Sequence, residues 1–298
     1  MEMVTASSTS AAPTEPPPLL AGGVTIGAGT FTLIARAAAS REGAGAAALA
    51  SGQAAELAQL ARGARAALLD VGHAWVSAGT VEDTLDLGLP LVCEVGMAAE
   101  VPAAARSAAL LRVHVQVQAR EGVAPGSSMG VALLRALGRA ELPVLLDLDL
   151  VPDSDGGAPA EGSLGVIRHL AGMVGEAVGG QVALCLPGAG RAFDLAAIPS
   201  LRAASGWPLL VDATGADPRR AAALARAAAA VGADGVVVAA GEPIAGLAEA
   251  ELARLSGELD AVAGALGRRM GGRRIRYVGR GGDERRDQYR GRDREWRA

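Results

Sequence analysis

Lysine and asparagine are absent from this chain, and all 28 of its basic side chains are arginine. Alanine supplies roughly a fifth of the residues, far above ordinary usage. Both biases read as those of GC-rich coding DNA, so short motifs built from glycine and alanine carry little weight. Aromatics amount to 2% of the chain, with none between Trp75 and Phe193. Packing must therefore come from many close contacts among Ala, Val and Leu rather than from large rings. Only two cysteines occur, Cys93 and Cys185, each inside an apolar run. That argues against a disulfide framework or a thiolate metal cluster and predicts buried free thiols in a reducing compartment. No apolar stretch approaches the ~20 residues of a membrane span. The start, Met1 to Val4 with Glu2, lacks the basic-then-apolar order of a secretory signal. The expectation is a soluble, cytoplasmic protein without membrane contact.

What is present is a chain of 298 residues, half hydrophobic and only 20% charged, long enough to bury a large core. Residues 1–21, with a Ser/Thr cluster and Pro16 to Pro18, read as a disordered leader. Residues 268–298 form an arginine-rich segment with twelve arginines against five acids, an excess of seven positive charges that leaves the remaining chain at −11 within a total of −4. That segment lacks apolar periodicity and is expected to be a disordered tail. It is either a solvated extension or an arm for an acidic partner, nucleic acid included. The folded body is expected over 22–267.

Within the body, short β-type runs alternate eight times with Ala/Leu-rich helical stretches. The runs are Phe31–Ala35, Ala66–Val71, Leu89–Val95, Leu111–Gln118, Pro143–Leu150, Gln181–Leu186, Pro208–Asp212 and Gly235–Ala239. Helices are expected at about 47–62, 80–87, 97–109, 129–139, 163–177, 195–204, 217–230 and 247–266. Strand–helix alternation demands a parallel sheet clothed in helices, and eight units close a barrel. The fold class is α/β, a (β/α)8 TIM barrel with a short N-terminal hairpin. The competing arrangement, an open dinucleotide-binding sheet using Gly43, Gly45 and Ala48 with Asp70, places its glycines too far beyond the first strand for backbone amides to meet a pyrophosphate.

In such a barrel side chains alternate between interior and helix layer, and chemistry gathers at the C-terminal strand ends. On the fourth run Arg112, His114, Gln116 and Gln118 share the inner face, with Val113, Val115 and Val117 turned outward. Asp147 and Asp149 share one parity of the fifth, while Asp70, Glu94 and Asp212 close the second, third and seventh. Five carboxylates are thus expected at one acidic mouth, with His114, or His73 just beyond a strand end, as a proton-transfer group. Strand-terminal aspartates also cap the loop amides that follow them, so each has a purely structural role open to it. His114 has one as well, as a satisfied core histidine. Cys93 should face the helices if Glu94 faces inward, and His169 should lie on the surface. No zinc spacing, phosphate-binding loop or Ser-His-Asp order is present.

From Gly22 to Arg268 the chain resembles the 3-deoxy-7-phosphoheptulonate (DAHP) synthase family and the related octulosonate phosphate synthases. The resemblance runs through Gly22-Gly23-Val24-Thr25-Ile26-Gly27, Phe31-Thr32-Leu33-Ile34-Ala35 and Leu89-Pro90-Leu91-Val92-Cys93-Glu94-Val95. It continues through Val115-Gln116-Val117-Gln118-Ala119-Arg120 and Pro143-Val144-Leu145-Leu146. Its most specific part is Phe193-Asp194-Leu195-Ala196-Ala197-Ile198-Pro199, Trp207-Pro208-Leu209-Leu210-Val211-Asp212 and Val231-Gly232-Ala233-Asp234-Gly235.

The resemblance implies a barrel that condenses phosphoenolpyruvate with erythrose 4-phosphate on a divalent metal, as a step of aromatic amino acid biosynthesis. The family's working residues are nonetheless replaced. Its metal-binding cysteine falls at Ala38, its Asp-Pro-Ser-His at Asp212-Ala213-Thr214-Gly215, and its glutamate at Ala239, while the loop of its acidic ligand is shortened before Glu249. Its Lys-Pro-Arg-Thr falls at Trp75 to Ala78, its Lys-Arg-Gly at Asp147-Leu148-Asp149, and two further arginines at Asp70 and Pro187. Arg120 survives and, with Gln116, is the expected substrate-binding pair. No metal or other cofactor is expected. A carboxylate about 4 Å from a phosphate repels it by several kcal/mol at the dielectric of a partly buried site. The resulting expectation is a catalytically degenerate barrel, a binding or regulatory scaffold that forms homo-oligomers or partners an active synthase. The alternatives are an enzyme with altered, non-phosphate chemistry, and an active synthase.

Overall fold

The computed structural model describes residues 17–37, 51–71, 88–118, 122–123, 130–151, 161–188, 195–241 and 246–271. It opens with an antiparallel hairpin, β1 (Leu19–Ala21) and β2 (Val24–Ile26), joined at Gly22 and Gly23. The hairpin takes in Leu19 to Ala21, three residues that composition assigns to the leader. Gly22 has φ +55°, and a Cβ there would stand 2.6 Å from the Pro90 Cβ and 2.8 Å from the Ala109 Cβ. Only glycine serves both the turn and this close approach.

The body is a closed ring of eight parallel strands. In chain order they are β3 (Thr30–Ala37), β4 (Leu68–Asp70), β5 (Leu91–Glu94), β6 (Ala108–Gln118), β8 (Val144–Val151), β9 (Val182–Pro187), β10 (Leu209–Asp212) and β11 (Gly235–Ala240). Each pairs with the next, and β11 pairs back onto β3 from Gly235↔Thr32 to Ala240↔Ala37. A Cβ at Gly235 would meet the Thr32 carbonyl oxygen at 2.5 Å, so a glycine lets the ring close. All eight expected strands are present, and closure rules out the open dinucleotide-binding sheet. A short β7 (Gly122–Val123) pairs antiparallel with β6, and β12 (Arg269–Met270) lies parallel to the start of β3.

The described helices are α1 (Ser51–Gly63), α2 (Val101–Ala105), α3 (Val131–Ala140), α4 (Glu161–Ala177), α5 (Ile198–Ser205), α6 (Pro218–Ala230) and α7 (Glu249–Ala265). One expectation is corrected. The helix read over 97–109 covers only α2, because the chain enters β6 at Ala108 to pair with Leu91 across a register shift. Pairing with the sheet satisfies backbone groups that the alanine-rich sequence alone would commit to helix. The helix expected at 80–87 lies outside the described residues, as do the glycines at 43 and 45. None of the described helices is long and apolar enough to cross a membrane.

Two apolar clusters divide the core. The larger fills the space between sheet and helices and includes Cys93, Leu111, Val113, Val115 and Val117. The smaller lies inside the ring, where Ile34, Leu68, Val92, Leu110, Leu145, Ala183, Leu210 and Val237 meet Leu19, Ala21, Val24 and Ile26 of the hairpin. The hairpin thus plugs the N-terminal end of the barrel, where Thr32 Oγ1 donates to the Thr25 carbonyl at 3.3 Å, and the charged residues of the inner face lie in its C-terminal half.

Candidate functional site at the C-terminal end of the barrel

Two residues beyond the inner apolar layer, the strands carry Arg36, Asp70, Glu94, Arg112, Asp147, Cys185 and Asp212 with the parity of Ile34, Leu68, Val92, Leu110, Leu145, Ala183 and Leu210. Strand pairing sets Arg36 beside Asp70, Glu94 beside Arg112, and His114 beside Asp147. Opposite charges are therefore lateral neighbours in one layer.

Arg112 is the hub. Its side chain is wholly buried, and its Nη1 donates to Asp70 Oδ2 at 2.6 Å. Nε and Nη2 donate to Asp147 Oδ2 at 3.1 and 2.7 Å, and Nη2 also donates to Asp212 Oδ2. Burial works against its charge, but Asp70, Asp212 and Asp147 outweigh burial and hold the guanidinium firmly protonated. Asp212 uses its other oxygen, Oδ1, to accept from Thr214 N at 2.8 Å. It is at once a loop cap and a member of the cluster.

Nearer the mouth, Arg36 donates from Nη2 to Glu94 Oε2 at 2.6 Å, with Asp70 and Asp212 at 3.7 and 3.8 Å. His114 stands half-exposed at the rim, Nδ1 3.4 Å from Asp147 Oδ2 and Nε2 3.9 Å from Asp149 Oδ2. The contact with Asp147 raises the His114 pKa above its ordinary 6.5 against the opposing effect of burial. At Asp147 burial pushes upward, but His114 and Arg112 together hold the carboxyl below its ordinary value.

Five of the expected residues, Asp70, Glu94, His114, Asp147 and Asp212, are thus gathered within one network, with Asp149 beside His114. Two expectations change. The mouth is not simply acidic, because Arg36 and Arg112 sit among the carboxylates. His114 is a rim residue rather than a core histidine. His73 and Arg120 lie outside the described residues, as do the side chains of Gln116 and Gln118. Arg36 is the member that sequence reasoning missed. Its signal was parity, two residues past inward-facing Ile34, on a strand that runs to Ala37 rather than stopping at Ala35.

Among the described residues, one set of three possible metal ligands converges, Asp147, Cys185 and Asp212, with donor atoms all within 4.8 Å of one another. The Arg112 guanidinium already bonds both carboxylates of this set, so a divalent ion and Arg112 cannot share the position.

Comparison with known proteins agrees with the architecture. No family model and no curated protein sequence matches this chain. Solved structures do. A truncated form of 3-deoxy-D-arabino-heptulosonate 7-phosphate synthase from Thermotoga maritima is similar with a TM-score of 0.66 at 22% identity, over 86% of this chain and 95% of that one. A phospho-2-dehydro-3-deoxyheptonate aldolase (DAHP synthase) from the same organism gives 0.65 at 23%, over 86% and 75%. The chain therefore has the fold of a DAHP synthase-like (β/α)8 barrel.

Proposed function

We propose that this barrel does not condense phosphoenolpyruvate with erythrose 4-phosphate, that it works without a metal, and that it serves as a binding or regulatory scaffold. It is a pseudoenzyme relative of a shikimate-pathway synthase, acting in the cytoplasm as a homo-oligomer or beside an active synthase. The observation that carries this reading is the engagement of Arg112. Its Nε, Nη1 and Nη2 all donate to carboxylates of the chain itself, and the side chain is wholly buried. Arg36 is likewise paired, with Glu94. Two anionic substrates need several free cations aimed at them, and here carboxylates occupy both central guanidinium groups. Asp70 and Asp147 stand where the resembling family carries cations.

The test is phosphate release from phosphoenolpyruvate and erythrose 4-phosphate with added Mn²⁺, together with calorimetry of phosphoenolpyruvate at millimolar concentration. No turnover above a metal-stripped blank and no saturable heat are expected, and either signal overturns the reading.

A second reading rests on the rim. His114 is open to solvent beside Asp147 and Asp149, an arrangement suited to proton transfer on an uncharged or cationic substrate. Turnover of a non-phosphorylated substrate that is lost in His114→Gln would favour it.

A further inference from the structure

We propose that the guanidinium of Arg112 is a built-in cation standing in a three-ligand divalent-metal position, formed by Asp147, Cys185 and Asp212, and that removing it opens this position to a thiophilic ion such as Zn²⁺ or Co²⁺. This goes beyond the scaffold reading, because it concerns what the barrel centre can hold rather than what the natural chain fails to catalyse.

Geometry comes first. Zinc takes oxygen ligands at ~2.0–2.2 Å and thiolate at ~2.3 Å, so donors around one ion lie no more than about 4.6 Å apart and usually nearer 3.5 Å. The donors of Asp147, Cys185 and Asp212 lie within 4.8 Å of one another, so side-chain movements of up to about 1 Å bring them to tetrahedral spacing once Arg112 is gone. The three come from adjacent strands, β8, β9 and β10, with Asp147 beside Cys185 in register. A rigid sheet therefore sets their spacing.

The second observation is the Cys185 thiol. It is fully buried, faces the ring interior rather than the helices, and makes no hydrogen bond among the described residues. Its neighbours inside the ring are the apolar layer below and the charged cluster above. An unpartnered sulfur beside two carboxylates is a mixed donor set of the kind borderline-soft ions prefer.

Charge balance gives the third argument. Arg112 brings one positive charge to the centre. A divalent ion brings two, and its binding replaces the S–H bond of Cys185 by an S–metal bond, with the proton released to solvent. The exchange of guanidinium for thiolate-bound metal leaves the charge of the centre unchanged. Asp70, which Arg112 Nη1 holds at 2.6 Å, remains as a nearby acceptor for a metal-bound water.

The experiment compares Co²⁺ loading of the full-length natural protein, Arg112→Ala and Arg112→Ser, read by bound metal per chain and by the near-ultraviolet thiolate-to-cobalt charge-transfer band. The natural protein is expected to bind no Co²⁺ at the centre. Each variant is expected to take up about one ion with that band, at least 100-fold more tightly than the natural chain. Cys185→Ala in the Arg112→Ala background is expected to abolish the band. If the variants unfold without metal, Zn²⁺ is expected to restore a cooperative thermal transition. A folded variant without a charge-transfer band overturns the proposal. So does a variant that neither ion restores, or a band in the natural protein that depends on Cys185. The two outcomes in the variants leave the scaffold reading untouched, whereas a band in the natural protein would also overturn its metal-free part; phosphate release from the natural protein decides the rest.

Discussion

Nη1 of Arg112 lies 2.6 Å from Oδ2 of Asp70, and neither side chain reaches solvent, at 0% and 1% exposure. Such a pair is costly to desolvate, and its removal from one side costs more than the pair itself contributes. Arg112→Ala strands Asp70 together with Asp147 and Asp212, so a loss of about 5 kcal/mol in unfolding free energy is expected without added metal. Asp70→Ala leaves Arg112 two carboxylates and should cost nearer 3 kcal/mol. Urea midpoints check both. Equal and small shifts would mean that the cluster is hydrated rather than buried.

The rim pair makes stability depend on pH in a defined direction. His114 has a raised pKa in the folded chain, so its contribution is full below its ordinary 6.5 and is lost as pH rises through the folded value. Asp147 has a lowered pKa, so its contribution is present above its ordinary 3.8 and is lost as pH falls through the folded value. The pair therefore stabilises most between these limits. Solvent screening at the half-exposed ring keeps the effect small. Denaturation midpoints of the natural chain should decline as pH rises from 6.5 through the raised folded value, and His114→Gln should flatten that decline. A decline that survives the substitution would assign the dependence to another group.

The barrel was legible because strand-type runs alternate with helical stretches eight times. On the fourth of these runs Arg112 and His114 alternate with Val113 and Val115 and declare an inner and an outer face, and eight strand–helix units leave closure as the way to pair both sheet edges. Cys93 facing the helices followed from the same alternation. The partners of the charges were not legible, since they depend on which strands become neighbours and at what register. Arg36 meets Asp70 because β3 pairs with β4 at the offset that sets the two residues side by side, and because β3 runs two residues beyond Ala35. Arg112 reaches Asp212 from across the ring, 100 positions away in sequence. The short α2 was misread for the opposite reason, because local alanine propensity gave way to pairing with β5.

Both thiols should be inert in the native state. Burial, assisted by the Asp70 charge, pushes the Cys93 pKa up to about 12. Burial likewise raises Cys185 well above its ordinary value. A thiolate-specific reagent at neutral pH should therefore label neither until the chain opens, with rates that follow urea concentration as global unfolding does. Labelling of one cysteine at native conditions would place it in a locally opening segment. In Arg112→Ala, bound Zn²⁺ should slow labelling of Cys185 and leave Cys93 unchanged.

At the opposite pole of the barrel, Asp234 is fully buried and accepts from Leu209 N at 3.0 Å, with Arg202 and Arg268 each at 3.1 Å. Arg268 also donates to the Thr30 and Ala233 carbonyls and lies 5.6 Å from the centre of the Phe31 ring. With β12 pairing to β3, it ties the beginning of the arginine-rich segment into the barrel floor, so positions 268–271 belong to the fold rather than to a tail. The rest of that segment, 272–298, lies outside the described residues. Deleting 272–298 should leave the denaturation midpoint in place. Arg268→Ala should lower stability by about 3 kcal/mol, because it removes a partner from a buried carboxylate and three further contacts at once. The same deletion separates two roles for the segment. An arm for single-stranded nucleic acid predicts binding that weakens steeply with salt and vanishes on truncation. An arm reaching a neighbouring subunit predicts a change in mass by light scattering. If truncation changes neither property and leaves the midpoint unmoved, the segment is a solvated extension beyond the Arg268 anchor. A fall in the midpoint on truncation would instead extend the fold past Gly271.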